Sequence, residues 1–157
     1  MQTHDSSAEK LASYSQLQSS LDQVIGKIGL QRTINLLDGL LSPSQPAAVR
    51  ESARVRLVTE YLVSEATRLF ALDENHFYSS HIREYREARM CCYYLLRKYT
   101  DASFPKIGLD FRCSERKVIY GANKCAERMT FPQGHKEFTG TCEQLETRLL
   151  VFLSHLN

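Results

Sequence analysis

Features that mark membrane, secreted and ATP-driven proteins are missing from this sequence of 157 residues. No apolar run approaches the roughly 18 residues that a membrane-spanning helix needs, so we expect no membrane association. The first ten residues, MQTHDSSAEK, lack a basic segment followed by an apolar one, which predicts a cytoplasmic protein without a secretory signal. A GxxxxGKS or GxxxxGKT loop is also absent, which excludes ATP binding of that type.

The five cysteines, an odd number, show none of the CxxC or Cys/His spacings that hold a metal ion. Cys91 and Cys92 are adjacent, and Cys113, Cys125 and Cys142 are scattered. We therefore expect buried, reduced thiols, and neither a metal nor a cofactor. A zinc site would require the fold alone to bring distant ligands together.

Arrangements that perform catalysis are equally absent. Spacing suggests no Ser/His/Asp set and no pair of carboxylates, and His135 near Glu137 is too weak a pattern to support a site. His76 and His81 are best interpreted as surface residues. We therefore expect a protein that is not an enzyme.

The chain does have an ordinary hydrophobic content of 43%, enough for one domain or for one domain with a helical appendage. Its positive charge is concentrated in the middle. Residues 81–128 hold eleven Lys or Arg against six Asp or Glu, a net charge of +5 in a chain whose net charge is +2, so the remainder carries −3. A basic centre of this kind is typical of a nucleic-acid site, although a solvated helix face can have the same composition.

Apolar residues recur every three or four positions through most of the chain, which predicts an all-α protein. In residues 1–46 this pattern indicates a helical hairpin, with Gly29 closing the first helix and one apolar face on the second. Such a face needs a partner, either the rest of the chain or a second copy in a homodimer. Pro43 and Pro46 end the hairpin in a linker or a loop. We therefore predict domains at 1–46 and 47–157.

The segment Arg86 to Met129 predicts a long helix, a short helix, a tight turn and a third helix, which is a helix-turn-helix with its supporting helix. Ser103 and Ser114 are suited to cap the short and third helices, and the short helix is expected to end near Arg112. The predicted buried stripe of the third helix is Val118, Ala122, Cys125 and Met129.

The outward face of the third helix carries side chains suited to reading base edges in the major groove of double-stranded DNA. Arg116 or Lys117 would bond guanine, and Asn123 would bond adenine. Alternatively, Arg116 and Lys117 form an ordinary solvated face. The candidate base-reading residues are Glu115, Arg116, Lys117, Tyr120, Asn123 and Lys124.

Phosphate contacts are expected beside these base-reading residues. The amides at the start of the short helix suit an anion, and basic side chains surround it. The candidate residues are Arg86, Ser103, Pro105, Lys106, Arg112 and Ser114.

Several motifs in this region occur together and in order. They are Ala88-Arg89, Leu95-Leu96, Thr100, Ser103 to Gly108, Phe111 and Val118-Ile119. With them, roughly Val55 to Leu156 resembles the C-terminal DNA-binding domain of the bacterial replication initiator DnaA. The resemblance implies a helix-turn-helix that binds DNA in a replication-related or regulatory role. It also implies contacts of Arg89 and Arg97 with the DNA backbone, although Arg89 could instead pair with an acid in its own helix.

The start of the third helix departs from that family. The family has a Gly-Gly-Arg-Asp-His-Thr-Thr motif there, and this chain has the shorter stretch Arg112 to Lys117. The Asp-His pair that reads the family's DNA site is therefore missing, and we do not expect the same sequence to be recognised. A protein-interaction module that keeps the fold without specific DNA binding is the alternative.

Overall fold

The computed structural model describes the backbone of residues 5–41 and 47–156 and the side chains of residues 13–38 and 51–156. All regular structure in this part of the chain is helical, which confirms the predicted all-α class with a helix-turn-helix. The chain divides into two compact units, Met1–Pro43 and Ser44–Asn157. The linker or loop predicted around the two prolines lies outside the described residues. Among the helices that are described, none combines the length and hydropathy that a membrane span requires.

The α-helices are numbered in chain order. They are α1 (Asp5–Ile28), α2 (Leu30–Leu41), α3 (Ala47–Leu69), α4 (Arg83–Tyr99), α5 (Phe104–Asp110), α6 (Glu115–Thr130) and α7 (Lys136–Leu156). Short 3-10 turns at Glu74–His76 and Pro132–Gly134 follow α3 and α6.

The first unit is the predicted helical hairpin. Gly29 separates α1 from α2 with a φ of 89°, a conformation that glycine adopts without a steric penalty. Ile28 and Thr33 are buried beside it. Several large apolar side chains of the two helices are exposed; they are Tyr14, Leu17, Leu30, Ile34 and Leu37. Much of the apolar face that the sequence predicted therefore lies open.

The second unit is organised around α4, which packs against α3, α5, α6 and α7. Leu95 and Leu96 are fully buried, as expected for a central helix with neighbours on several sides. The final helix, α7, is held by contacts with both α3 and α4. The Tyr61 ring of α3 stacks on Phe152 with 4.0 Å between ring centroids, and the Tyr99 hydroxyl of α4 donates to Glu146 across 2.6 Å.

The helix-turn-helix consists of α5, a turn and α6, with α4 as the supporting helix. Both predicted N-caps are confirmed, because Ser103 Oγ accepts from the Lys106 amide at 3.3 Å and Ser114 Oγ accepts from the Lys117 amide at 3.4 Å. The short helix ends at Asp110, earlier than predicted. The reason is that Arg112 has a φ of 55°, which a right-handed helix cannot contain.

Two glycines let the backbones of this region approach closely. A Cβ atom on Gly108 would lie 2.8 Å from the carbonyl oxygen of Cys113, inside the turn. A Cβ atom on Gly121 would lie 2.8 Å from a ring carbon of Tyr93, where α6 crosses α4. The absence of a side chain at these positions therefore allows the tight turn and the close packing of α6 on α4.

Candidate nucleic-acid interface

The third helix of the predicted motif, α6, presents two faces of different chemistry. Val118, Ala122 and Cys125 are buried against the rest of the unit. Met129, predicted to complete this stripe, is only partly buried because it lies at the last turn of the helix. The opposite face carries the exposed residues Glu115, Arg116, Lys117, Tyr120 and Asn123. The predicted base-reading side chains therefore point outward together.

Lys124 differs from the other members of that set. It is partly buried, and its Nζ lies 3.0 Å from Glu127 Oε2 one turn along α6. The carboxylate offsets its charge, so Lys124 is less available to a partner than Arg116 or Lys117.

A cleft of about 360 Å³ opens between α4, the turn and α6. Its wall contains four positively charged side chains that were predicted from the sequence to contact DNA. They are Arg86, Arg89, Arg112 and Lys117. The rim also holds Tyr120. The fold thus brings together candidates that are up to 34 positions apart in the sequence, from Arg86 to Tyr120.

Within the described residues, the charges of Arg86, Arg116 and Lys117 meet no carboxylate at ion-pair distance. Nearby cations are neutralised instead. Arg83 and Arg128 both reach Glu87 Oε1, at 3.0 and 2.8 Å. Charge therefore remains uncompensated at the cleft and at the start of α6.

Arg112 owes its position to the turn. Its guanidinium carbon lies 5.6 Å from the centroid of the Tyr78 ring, a cation–π contact. The residue is exposed, and its backbone holds the left-handed conformation that glycine usually supplies. The contact orients the guanidinium at the cleft.

Arg89 holds the segment before α4 in place. Its guanidinium donates to the carbonyl oxygen of Phe77 and, across 2.7 Å, to that of Ser80. Phe77 is fully buried, so these bonds fasten a core residue to α4. The alternative expectation, an ion pair with an acid in its own helix, is not what the structure shows.

Arg97 plays a similar part at the other end of α4. Its Nη1 donates to the carbonyl oxygen of Ala102 across 2.6 Å, and its guanidinium lies 4.4 Å from the centroid of the Phe104 ring. It therefore shapes the connection into α5. The residue is exposed, and an arginine has five N–H donors, so several remain for another partner.

The beginning of α5 is less strongly charged than the sequence suggests. Pro105 is exposed in the first turn, but Lys106 Nζ lies 2.7 Å from Asp110 Oδ1 one turn later. Ser103 and Ser114 use their hydroxyls as caps. These four residues therefore form and rigidify the motif rather than adding free charge to it.

Tyr78 and His81 are among the residues of the cleft wall that the sequence did not predict. They lie in the irregular stretch before α4, where no helical period exists to predict a face. Tyr93, a buried residue of α4, also lines the cleft. Burial raises the pKa of its phenol, whose oxygen is 3.6 Å from Cys113 Sγ, so this hydroxyl stays neutral.

Comparison with known proteins agrees with the resemblance for half of the chain. No protein-family model matches. Over 81 residues, 51% of this chain, the sequence is 37% identical to the chromosomal replication initiator protein DnaA of Gloeobacter violaceus. The chain spans only 17% of that protein's length. About half of the chain is therefore similar to a part of DnaA.

Proposed function

We propose that this protein binds double-stranded DNA through its helix-turn-helix, as a replication-related or regulatory accessory protein of the bacterial cytoplasm. In this proposal it has no enzymatic activity. The observation that carries the proposal is the uncompensated positive charge of Arg86, Arg112 and Lys117 in one cleft beside the turn. The similarity to DnaA over half of the chain supports it.

The cleft cations suit phosphate groups rather than bases. Arginine and lysine without an acidic partner attract the anionic backbone and release its counterions on binding. Arg86 and Lys117 reach the same cleft from different helices, so one strand passing over it would meet charge from both sides. Arg97 would add a contact near α5 with the N–H groups that Ala102 leaves unused.

In this proposal, the exposed residues at the start of α6 recognise the bases. Residues near the N-terminus of a recognition helix face base edges when the helix lies in the major groove. Arg116 would donate to guanine, and Glu115 would accept from cytosine. Asn123 lies farther along the same face. Because DnaA's Asp-His motif is replaced here, the preferred sequence is expected to differ from that of DnaA.

The open apolar face of the first unit supports a second part of the proposal, homodimerisation. Leu30 is 59% exposed and Tyr14 is 69% exposed, and a second copy would cover such residues. A dimer would present two recognition helices and favour a site with two related halves. Sedimentation of the full chain and of a chain lacking residues 1–46 tests this part. Equal subunit numbers in the two would contradict it.

A protein-interaction module remains the second candidate. It is favoured by the exposed apolar side chains of Leu109 and Phe131, which are 76% and 72% exposed. Such residues near a helix-turn-helix would suit a protein surface better than a phosphate backbone.

Selection of bound duplexes from a random pool distinguishes the two candidates. The proposal predicts enrichment of related sequences by the full chain. Failure to retain any duplex at low salt would contradict the proposal and leave the protein-interaction module ahead. Retention of duplexes without enrichment would contradict the base-reading role of α6 alone.

A further inference from the structure

Three helices of the second unit each place one cysteine in the same buried spot. Cys91 comes from α4, Cys125 from α6 and Cys142 from α7. Their three Sγ atoms all lie within 4.8 Å of one another, and those of Cys125 and Cys142 are 3.7 Å apart. All three side chains are completely buried. Cysteine spacing did not predict this cluster, because its members are far apart in the chain.

The spacing suits three ligands of one ion. With ion–sulfur bonds of about 2.3 Å, two sulfur ligands of one ion lie about 3.3–4.0 Å apart as the angle between the two bonds opens from about 90° to about 120°. The 3.7 Å between Cys125 and Cys142 falls in this range. Small side-chain rotations would bring the remaining separations, none above 4.8 Å, into it. Little rearrangement of the helices is therefore required.

We propose that Cys91, Cys125 and Cys142 form a three-thiolate site for one soft, thiophilic ion. Thiolates select soft ions over hard ones such as Mg²⁺ and Ca²⁺. The proposal is independent of DNA binding. It concerns three buried cysteines, and none of them lines the cleft.

The number of ligands narrows the choice of ion. Among the described residues, no fourth His, Cys, Asp or Glu joins the group. Zinc in structural sites takes four ligands, and a water molecule as the fourth would need room and polar partners in this buried place. Ions that accept three sulfur ligands, trivalent arsenic and copper(I), fit better.

Charge narrows the choice further. Three thiolates around copper(I) leave a net charge of −2, whereas three thiolates around trivalent arsenic leave none. A buried, uncompensated charge is costly, so trivalent arsenic is the better match. With arsenite, As(OH)₃, three S–H protons combine with three hydroxides as three As–S bonds form, and three water molecules leave. No electron is transferred in this step.

A bound ion would tie together α4, α6 and α7. Because the unfolded chain would not hold the three thiols together, binding should favour the native state in proportion to the logarithm of ion concentration. The melting temperature should rise accordingly. Fully buried ligands also imply that the ion enters through local opening of the unit, so binding should be slow.

The test is titration of the reduced full chain with arsenite, copper(I) and Zn²⁺ under anaerobic conditions. Native mass spectrometry would count bound ions, and near-ultraviolet absorption would report sulfur–ion bonds. We expect one arsenic per chain, tighter than zinc, with a rise in melting temperature. Binding of copper(I) at one per chain also supports the three-thiolate site. Tightest binding of zinc would overturn the three-ligand assignment.

Cysteine variants decide whether this cluster is the site. Cys125→Ala and Cys142→Ala should each weaken arsenite binding at least tenfold. Cys92→Ala is the matched control, since Cys92 is equally buried on α4 but lies outside the cluster. Binding that survives both cluster substitutions would overturn the proposal. So would a wild-type chain that binds neither arsenite nor copper(I) while fully reduced, a result that does not depend on how the variants fold.

Discussion

The amide of Cys113 donates to the carbonyl oxygen of Gly108 across 2.9 Å and closes the turn between α5 and α6. The amide of Arg112 donates to Leu109 within the same turn, at 3.2 Å. This pair of bonds is a Schellman motif, in which the residue after the helix cap normally is glycine. Here Arg112 occupies the position of that glycine, with a φ of 55°. A strained backbone thus carries one of the cleft cations.

Replacing Arg112 by glycine should change protein stability and DNA affinity in opposite directions. Relief of the left-handed backbone is expected to raise the free energy of unfolding by about 1 kcal/mol. Loss of the guanidinium should weaken binding to duplex DNA and reduce its salt dependence. Chemical denaturation and fluorescence anisotropy with a labelled duplex measure the two effects. A stabilised Arg112→Gly variant with unchanged DNA affinity would remove Arg112 from the interface.

Ala71 supplies the matched control for this substitution. It ends α3 in the same motif, with a φ of 52° and hydrogen bonds from Ala71 to Arg68 and from Leu72 to Thr67. Ala71→Gly should be stabilised to a similar extent, while its DNA affinity stays at the wild-type value. A fall in affinity here would show that backbone relaxation, not the guanidinium, affects binding.

Adding one methyl group should disturb the seating of α6. The Cβ atom of Gly121→Ala would lie 2.8 Å from the Tyr93 ring, and overpacking of this kind costs about 1–3 kcal/mol. Gly108→Ala should be at least as damaging, because its neighbour is a backbone carbonyl that cannot rotate away. Thermal unfolding measures both. Gly140→Ala in α7, where nothing lies within 4 Å, is the control and should be neutral or stabilising.

Substitution of Arg89 should lower the stability of the protein more than substitution of Arg86. Arg89→Ala removes hydrogen bonds to two backbone carbonyls and is expected to lower stability by about 1.5–3 kcal/mol. Arg86 is exposed on the same helix, so Arg86→Ala should change stability by less than about 0.5 kcal/mol while still weakening DNA binding. Chemical denaturation of both variants measures the change in stability, and fluorescence anisotropy with a labelled duplex measures the change in DNA affinity. Equal destabilisation would refute the assignment of Arg89 to the segment before α4.

Substitution of Arg116 at the start of α6 should change sequence preference more than general affinity. Loss of a good bidentate base contact costs about 1–3 kcal/mol of discrimination, so Arg116→Ala should bind a selected duplex and a scrambled one more equally. Arg56→Ala, an exposed arginine on α3, is the control and should leave the ratio unchanged. A constant ratio in the Arg116→Ala variant would indicate that Arg116 belongs only to a solvated face.

The helices of this protein were predictable because their signals are local. Ser103 and Ser114 precede apolar runs, and both were recognised as caps from type and position. The roles of Arg89 and Arg97 were not predictable, since their acceptors are carbonyl oxygens in connections that lack any period. The cysteine cluster was not predictable either, because its three thiols come together only when α4, α6 and α7 pack.

The most direct test of DNA binding is the salt dependence of duplex affinity in the wild type and in the triple variant Arg86→Ala/Arg112→Ala/Lys117→Ala. We predict that log K falls linearly with log salt in the wild type, with a slope of about −0.9 for each phosphate contact. The slope should become shallower by about 0.9 for each cation removed. A wild-type affinity that does not respond to salt, or a triple variant with the same slope and affinity as the wild type, would contradict the account.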